Sequence, residues 1–360
     1  MTEQASPAAL KRVLVFGASG HLGGPVADTL IKKNNAVELR LATSSAANVV
    51  KMKSLYPSAD IVVCNYTDLD EMIAAMNDVD AVFVVTPDFM DEHLCANNIV
   101  KAANVSGTVK HIVRIMGDPP NVTMDDVPKD LQKFRDGMGA AVGHQTARRI
   151  LSESGLNVTF VNVAAYYMDS LSGIWHGRAL READSLVEIK RHYMPYVDPA
   201  EVGEACANIL LRQAPQDTGA TFHLNNSHDM IDFYQVSEML SESLGRKITY
   251  VQGEKLWKKY TGSDLKKKYG EMAEKYFLNY FTWEGEMIKT IFKRQLGSIP
   301  GALLILTVKY APRSLTNKLF ASAAAKPGGL FSRDLDELLG RKPKTLKTWI
   351  SENRHQFERF

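Results

Sequence analysis

Apolar and polar positions in the first half of the chain follow two alternating rhythms. Near-continuous apolar runs occur at "RVLVFG", "VELRLAT", "DIVVCN", "DAVFVV", "HIVRIM" and "NVTFVNV". Runs of this length, dominated by Val, Ile, Leu and Phe, read as strands covered on both faces. Between them, apolar residues recur at helical spacing over Leu22 to Lys33, Ala46 to Leu55, Leu69 to Met76, Glu92 to Asn104 and Val142 to Ser154. Alternating strands and helices predict an α/β fold, a Rossmann-like doubly wound parallel sheet with helices on both faces and right-handed crossovers.

The alternation loosens after Val163. "YMPYVDPAEVGEACANILL" reads as a short strand, a turn at Asp198 and Pro199, and a helix. "ATFHLNN", "DFYQVSEMLSESLG" and "KITYVQ" then read as strand, helix and strand. From Glu254 the pattern is mostly helical, with a linker at "AAAKPGGLFS" before a last helix around "PKTLKTWISENRHQF". The expected division is a parallel α/β domain over 1–165 and a smaller, mostly helical C-terminal lobe over 166–360, parts of which return to the first domain.

Composition narrows the class. The chain has 360 residues, room for one large domain and a second lobe. Lys and Arg number 43 against 41 Asp and Glu, a balance that argues against a dedicated nucleic-acid surface. Cys64, Cys95 and Cys206 share no short spacing, and no Cys/His cluster appears, so no metal site is expected. Cys64 in an apolar run and Cys206 on a helical pattern read as buried free thiols, which fits a reducing compartment. "MTEQASPAALKR" lacks the apolar core of a signal peptide, and "ALLILTV" at Ala302 to Val308 is too short for a membrane span. A cytoplasmic protein is the expectation.

The first strand runs into "GASGHLGG". Gly17, Gly20 and Gly23 follow a buried strand, precede a helix and open the alternating run, which is the context a phosphate-binding loop requires. Gly17 suits the tight turn, Gly20 a close approach of backbone to a pyrophosphate, and Gly23 close packing of helix on strand. The helix start, with Ala18, Ser19, His21 and Leu22 around it, would favour the phosphates. The alternative is a glycine-rich turn that holds nothing.

The spacing GxxGxxG is similar to that of extended and atypical short-chain dehydrogenases/reductases. "VDAVFVVTP", "SGTVKHIVRIMG", "SGLNVTFVNVAAYYMD", "PYVDPAEVGEACANIL" and "LSESLGRKITYVQ" occur in the order seen in NmrA-like proteins. The chain therefore resembles the NmrA-like family over roughly Arg12 to Gln252, with a weaker echo at "DELLGRKPKTLKTWISEN".

An NAD site usually places a carboxylate at the end of the second strand. Here that end carries Thr43, Ser44 and Ser45, and Glu38 lies too early. NADP is expected, with NAD as the alternative, and Arg40, Lys51 or Lys53 as sources of charge for a 2′-phosphate. Ser44 and Ser45 also read as caps of the next helix. The resemblance further implies Asn65 beside the adenine, Thr86 and Pro87 along the nicotinamide ribose, and Ala164 and Tyr166 at the cofactor after the sixth strand.

The Tyr-x-x-x-Lys pair of ordinary short-chain dehydrogenases is missing. The corresponding helix reads "AAVGHQTARRILSESG", with His144 where relatives often carry lysine. Met116 and Gly117 replace the serine usual after the fifth strand. His144 and Tyr166 are the candidate catalytic residues, and Ala140, Ala141, Ala147 and Arg148 share or flank the face of His144. Arg148 and Arg149 read as anion ligands or as exposed charges. His176, Arg178, Arg191 and His192 read as substrate contacts or as surface.

Two functions stay open. One is an NAD(P)H-dependent oxidoreductase acting on a carbonyl, quinone, imine or enone of a small, apolar or aromatic substrate. The other is a non-catalytic NADP-binding redox sensor acting through a protein partner. A homodimer is compatible with either.

Overall fold

The computed structural model describes residues 10–33, 36–118, 122–163, 165–191, 193–296 and 332–359, the side chains of 288–296 excepted. The "ALLILTV" run and the "AAAKPGG" part of the linker lie outside these residues. In chain order the strands are β1 (Arg12–Phe16), β2 (Glu38–Thr43), β3 (Asp60–Val63), β4 (Ala81–Val84), β5 (His111–Met116), β6 (Val158–Asn162), β7 (Tyr166–Tyr167), β8 (Ser185–Glu188), β9 (Tyr193–Val197), β10 (Thr221–His223), β11 (Met230–Asp232) and β12 (Thr249–Gln252). The helices are α1 (Gly23–Lys33), α2 (Ala47–Leu55), α3 (Leu69–Met76), α4 (Glu92–Ser106), α5 (Lys129–Gln132), α6 (Ala140–Glu153), α7 (Gly177–Ala183), α8 (Pro199–Arg212), α9 (Phe233–Leu244), α10 (Glu254–Trp257), α11 (Ser263–Tyr269), α12 (Glu271–Leu296), α13 (Asp334–Leu339) and α14 (Leu346–Glu352).

The chain forms two units. The first comprises Met1–Asp118, Gly137–Val163 and Pro199–Phe222. Its sheet has the order β10-β6-β5-β4-β1-β2-β3, and β1 to β6 pair parallel throughout. Every residue of β4, β5 and β6 is buried, which is why these strands read as near-continuous apolar runs. The chain leaves β1 towards β2 on one side and returns to β4 on the other. Ligands of such sheets gather at this reversal, outside the carboxyl ends of the strands.

The second unit comprises Pro119–Asp136, Ala164–Asp198 and His223–Phe360. It holds two small sheets, β11-β9-β7 and β12-β8. Its core gathers Leu186, Tyr196, Phe233 and Leu240 with Leu346, Trp349, Ile350 and Phe357 near the C-terminus. The last helical stretch is therefore part of this core. Among the described residues no helix is long and apolar enough to cross a membrane. All three cysteines are free and buried.

Candidate functional site

After Phe16 the chain turns at Gly17, whose φ of +67° lies in the left-handed region that favours glycine. The turn closes where the Gly20 amide donates to the Gly17 carbonyl at 2.8 Å. α1 starts hard against it: a Cβ on Gly23 would fall 2.4 Å from the Gly17 oxygen. A Cβ on Gly17 would meet Val85 Cγ1, just past β4, at 2.8 Å, so the ends of the two central strands touch. Ala18 and Leu22 are buried beneath the loop while Ser19 and His21 are exposed. Gly20 differs from its neighbours. It is exposed, its φ lies outside the left-handed region, and a Cβ there would meet only the Gly17 oxygen, at 3.3 Å. Packing demands glycine at 17 and 23 but scarcely at 20.

At the end of β2, Thr43 is buried and its Oγ1 accepts from the Ser45 amide at 3.3 Å. The capping expectation for Ser44 and Ser45 is wrong. The N-cap of α2 is Ala46, already helical and without a side-chain bond, so the helix starts after both serines. Arg40 is largely committed within the fold. Its Nε donates to Asp60 at 2.7 Å and its Nη1 to the carbonyls of Ala75 and Asn77. Lys51 and Lys53 remain exposed on α2. Asn65, half-buried after β3, is oriented by Glu71 Oε2, which accepts from its backbone and side-chain nitrogens at 2.7 and 2.8 Å.

Past the end of β4, an open cleft lies within the first unit. Thr86 and Pro87 after β4, Glu92 at the start of α4, and Gly143 and His144 of α6 are among its lining residues. Beneath it lies an ion pair that sequence reasoning missed. Arg114, in the middle of β5 and fully buried, donates from Nη2 to Glu92 at 2.7 Å and to Thr86 Oγ1 at 2.8 Å. The Thr86 hydroxyl itself donates to Glu92 Oε1. The signal was an arginine inside an apolar central strand, which must find a buried partner.

His144 is half-buried, with an Nδ1 that is buried and has no hydrogen-bond partner. A Cβ on Gly117 would lie 3.1 Å from its Nε2. The imidazole thus fills the space in front of residue 117. Ala140 lines the cleft with His144, whereas Ala141 and Ala147 are buried. Arg148 turns into the fold, bonded to Thr221 at 3.0 Å, 3.6 Å from Asp118 and stacked over Phe160. Arg149 is exposed and 4.0 Å from Glu153. Neither arginine is among the cleft residues.

In the second unit, Tyr166 donates to Glu284 Oε2 at 2.8 Å, a partner that sequence reasoning also missed. Arg178, expected either to touch substrate or to lie free on the surface, clamps the α10–α11 turn through Ser263 Oγ and the Tyr260 carbonyl. Arg191 pairs with the buried Asp232, and His176 is 6% exposed, 3.6 Å from Glu188. Ala164 and His192 lie outside the described residues. Among the described residues no group of three or more His, Cys, Asp or Glu is placed to hold a metal ion.

Residues 9–290 match the model of the NmrA-like family. Three solved structures illustrate the likeness. A triphenylmethane reductase from Citrobacter sp. complexed with NADP(H) is 18% identical at a TM-score of 0.60, covering 94% of this chain and 98% of that one. An NADPH-dependent quinone oxidoreductase from Escherichia coli complexed with NADPH is 17% identical at 0.61, covering 94% and 99%. Nmra, a negative transcriptional regulator, is 15% identical at 0.61, covering 95% of each chain. At these identities the likeness establishes the fold alone. Comparison with curated protein sequences gives no match.

Proposed function

The chain belongs to the NmrA-like family, and from that premise we propose that it is an NADP(H)-dependent oxidoreductase acting on a small, apolar or aromatic organic acceptor. The observation that carries the reading is Gly20. The fold leaves space in front of an exposed glycine whose neighbours on the loop are glycine for steric reasons, and a pyrophosphate needs that space.

The remaining assignments follow the edge of the sheet. Gly17, Ala18, Ser19, Gly20, His21, Leu22 and Gly23 hold the pyrophosphate. Thr43, Ser44 and Ser45 take the adenosine ribose, where uncommitted serine hydroxyls and the lack of a carboxylate favour a 2′-phosphate over NAD. Asn65, held by Glu71, flanks the adenine. Thr86, fixed by Glu92 and Arg114, lines the nicotinamide ribose with Pro87. His144 offers Nδ1 or Nε2 to a ribose hydroxyl and is a candidate for moving the proton of the reaction; Tyr166 of the second unit is the other candidate. The bound nicotinamide supplies or accepts a hydride, chemistry that resides in the cofactor.

Two of the structural relatives are complexes with NADP(H) or NADPH, which supports the same cofactor here. The second unit is rich in aromatic rings, Trp175 standing 5.0 Å from Phe277 and 5.4 Å from Phe281, which supports an apolar acceptor or equally a protein interface. Three buried thiols support a reducing, cytoplasmic location.

A screen of the purified protein with NADPH against quinones, aldehydes, imines and enones tests the reading. Oxidation of NADPH by at least one acceptor is expected. Tight binding of NADPH with no oxidation across the panel would contradict it. That outcome favours the redox-sensor function, which the missing Tyr-x-x-x-Lys pair keeps in play.

A further inference from the structure

Half of one buried carboxylate in the first unit is uncommitted. Glu92, in the first turn of α4, is 7% exposed and lines the cleft past β4. Its Oε1 takes two hydrogen bonds, from Arg114 Nη2 at 2.7 Å and from the Thr86 hydroxyl. Among the described residues nothing donates to Oε2. An arginine fork gripping both oxygens would have used it. Here Nη2 alone reaches the carboxylate, and it is shared with Thr86 Oγ1 at 2.8 Å. Arg114 is not among the cleft residues and is fully buried in β5. The guanidinium therefore holds Oε1 from within the sheet and leaves Oε2 to the cleft. A buried charge with unspent acceptor sites calls for a donor.

The stem of Glu92 is held from the other side. A Cβ on Gly143 of α6 would fall 2.9 Å from Glu92 Cγ. The helix reaches the glutamate because residue 143 has no side chain. His144, the next residue, lines the same cleft, and its Nδ1 is buried without a partner.

The hydrogen-bond polarity of this wall follows. Thr86 gives its proton to Glu92 and accepts from Arg114, so towards a ligand its oxygen can only accept. A carboxylate oxygen likewise only accepts. Thr86 Oγ1 and Glu92 Oε2 are thus two acceptors on groups bonded to one another, and they ask for two donors on adjacent atoms. A vicinal diol supplies them. A carboxamide, with both donors on one nitrogen, would set its own oxygen against a lone pair. A phosphate would bring its charge against the carboxylate.

We infer that Glu92 is a ligand of the nicotinamide ribose, its Oε2 accepting from one hydroxyl of the diol while Thr86 Oγ1 accepts from the other. His144 then donates to a diol oxygen, completing the set. Arg114 acts through Glu92 and Thr86 and is a positioning residue. The inference rests on the NADP(H) reading above and not on turnover, and every residue it uses belongs to the first unit.

The test is calorimetric titration of the whole chain with three ligands. They are NADPH, its ADP-ribose 2′-phosphate portion, and 2′-phosphoadenosine 5′-diphosphate, which ends before the second ribose. Glu92→Gln should weaken the first two about tenfold and leave the third within about twofold, since only a charge-assisted bond to the ribose is lost. Thr86→Val should weaken the same two about fivefold. Where Glu92→Gln is unfolded, Arg114→Met with Glu92→Met, which removes both charges of the pair, takes its place with the same losses expected. Unchanged affinity of the folded variant for the ribose-bearing ligands overturns the inference. So does a loss confined to NADPH, which would move the contact to the nicotinamide ring, and so does an equal loss for all three ligands, which would mark a purely structural role. A parent that binds none of the three overturns the NADP(H) reading, and this inference with it.

Discussion

The His144 imidazole occupies the volume that a side chain on residue 117 would enter, its Nε2 standing 3.1 Å from a Cβ placed on Gly117. One residue's size and the other's position are thus linked across β5 and α6. If His144 bonds the nicotinamide ribose, its loss removes one hydrogen bond, worth about 1 kcal/mol or more if charge-assisted. His144→Ala should weaken NADP(H) about five- to tenfold. Gly117→Ser should also weaken it, by displacing the ring. The double variant should bind no worse than His144→Ala, because the two changes act on one group. Calorimetric titration of the three variants checks this, and strict additivity would separate the two residues.

The Arg114–Glu92 pair predicts a stability effect. Removing one partner of a buried ion pair leaves an uncompensated charge, at a cost of about 3–5 kcal/mol. Arg114→Met should therefore lower the midpoint of urea unfolding sharply, and adding Glu92→Met should recover part of the loss. Equal stability of parent and Arg114→Met would show that the guanidinium is not buried as described.

The second unit should carry a pH signature. Glu188 and Glu284 are raised in the folded state, so the folded chain holds protons that the unfolded chain, with Glu near 4.3, has released. Their stabilisation is full below the unfolded value and is lost as pH rises through about 7 and 8. His176 runs the other way: depressed to about 4, it stabilises above its ordinary 6.5 and loses that contribution as pH falls towards 4. Between pH 6.5 and 8, Tm should fall as pH rises, and Glu188→Gln should flatten the fall. A rising Tm over that interval would contradict the burial of the two carboxyl groups.

Much of the first unit was readable from the chain because strands covered on both faces read as near-continuous apolar runs, as the wholly buried β4, β5 and β6 largely do. The two-residue β7 and the short β8, which ends on the buried Glu188, carry too few positions for a period to show. The helix α2 was placed to within a residue, but its cap was misread because Ser44 and Ser45 have the chemistry of caps, whereas the N-cap is Ala46. Arg114 announced a buried partner without identifying it, since Glu92 lies 22 residues away. Glu284 sits among charged residues of a long helix and resembles any solvated glutamate until the fold brings Tyr166 to it. The loop was legible as a motif, yet the difference between Gly20 and Gly23 was not. Both are glycines in one pattern, and only packing separates the one the fold needs from the one a ligand would need.

That separation gives the most direct measurement. Gly23→Ala should destabilise the fold, since its Cβ would enter the Gly17 carbonyl. Gly20→Val should melt closer to the parent than Gly23→Ala does, because its Cβ makes one tight contact, 3.3 Å to the Gly17 oxygen, where the Cβ at 23 would meet three backbone atoms within 2.6 Å. Titrating NADPH and NADH into the parent and Gly20→Val by calorimetry should give saturable binding to the parent, NADPH tighter than NADH, and no detectable binding to Gly20→Val. Unchanged affinity in a folded Gly20→Val protein, or NADH binding tenfold more tightly than NADPH to the parent, would contradict the account.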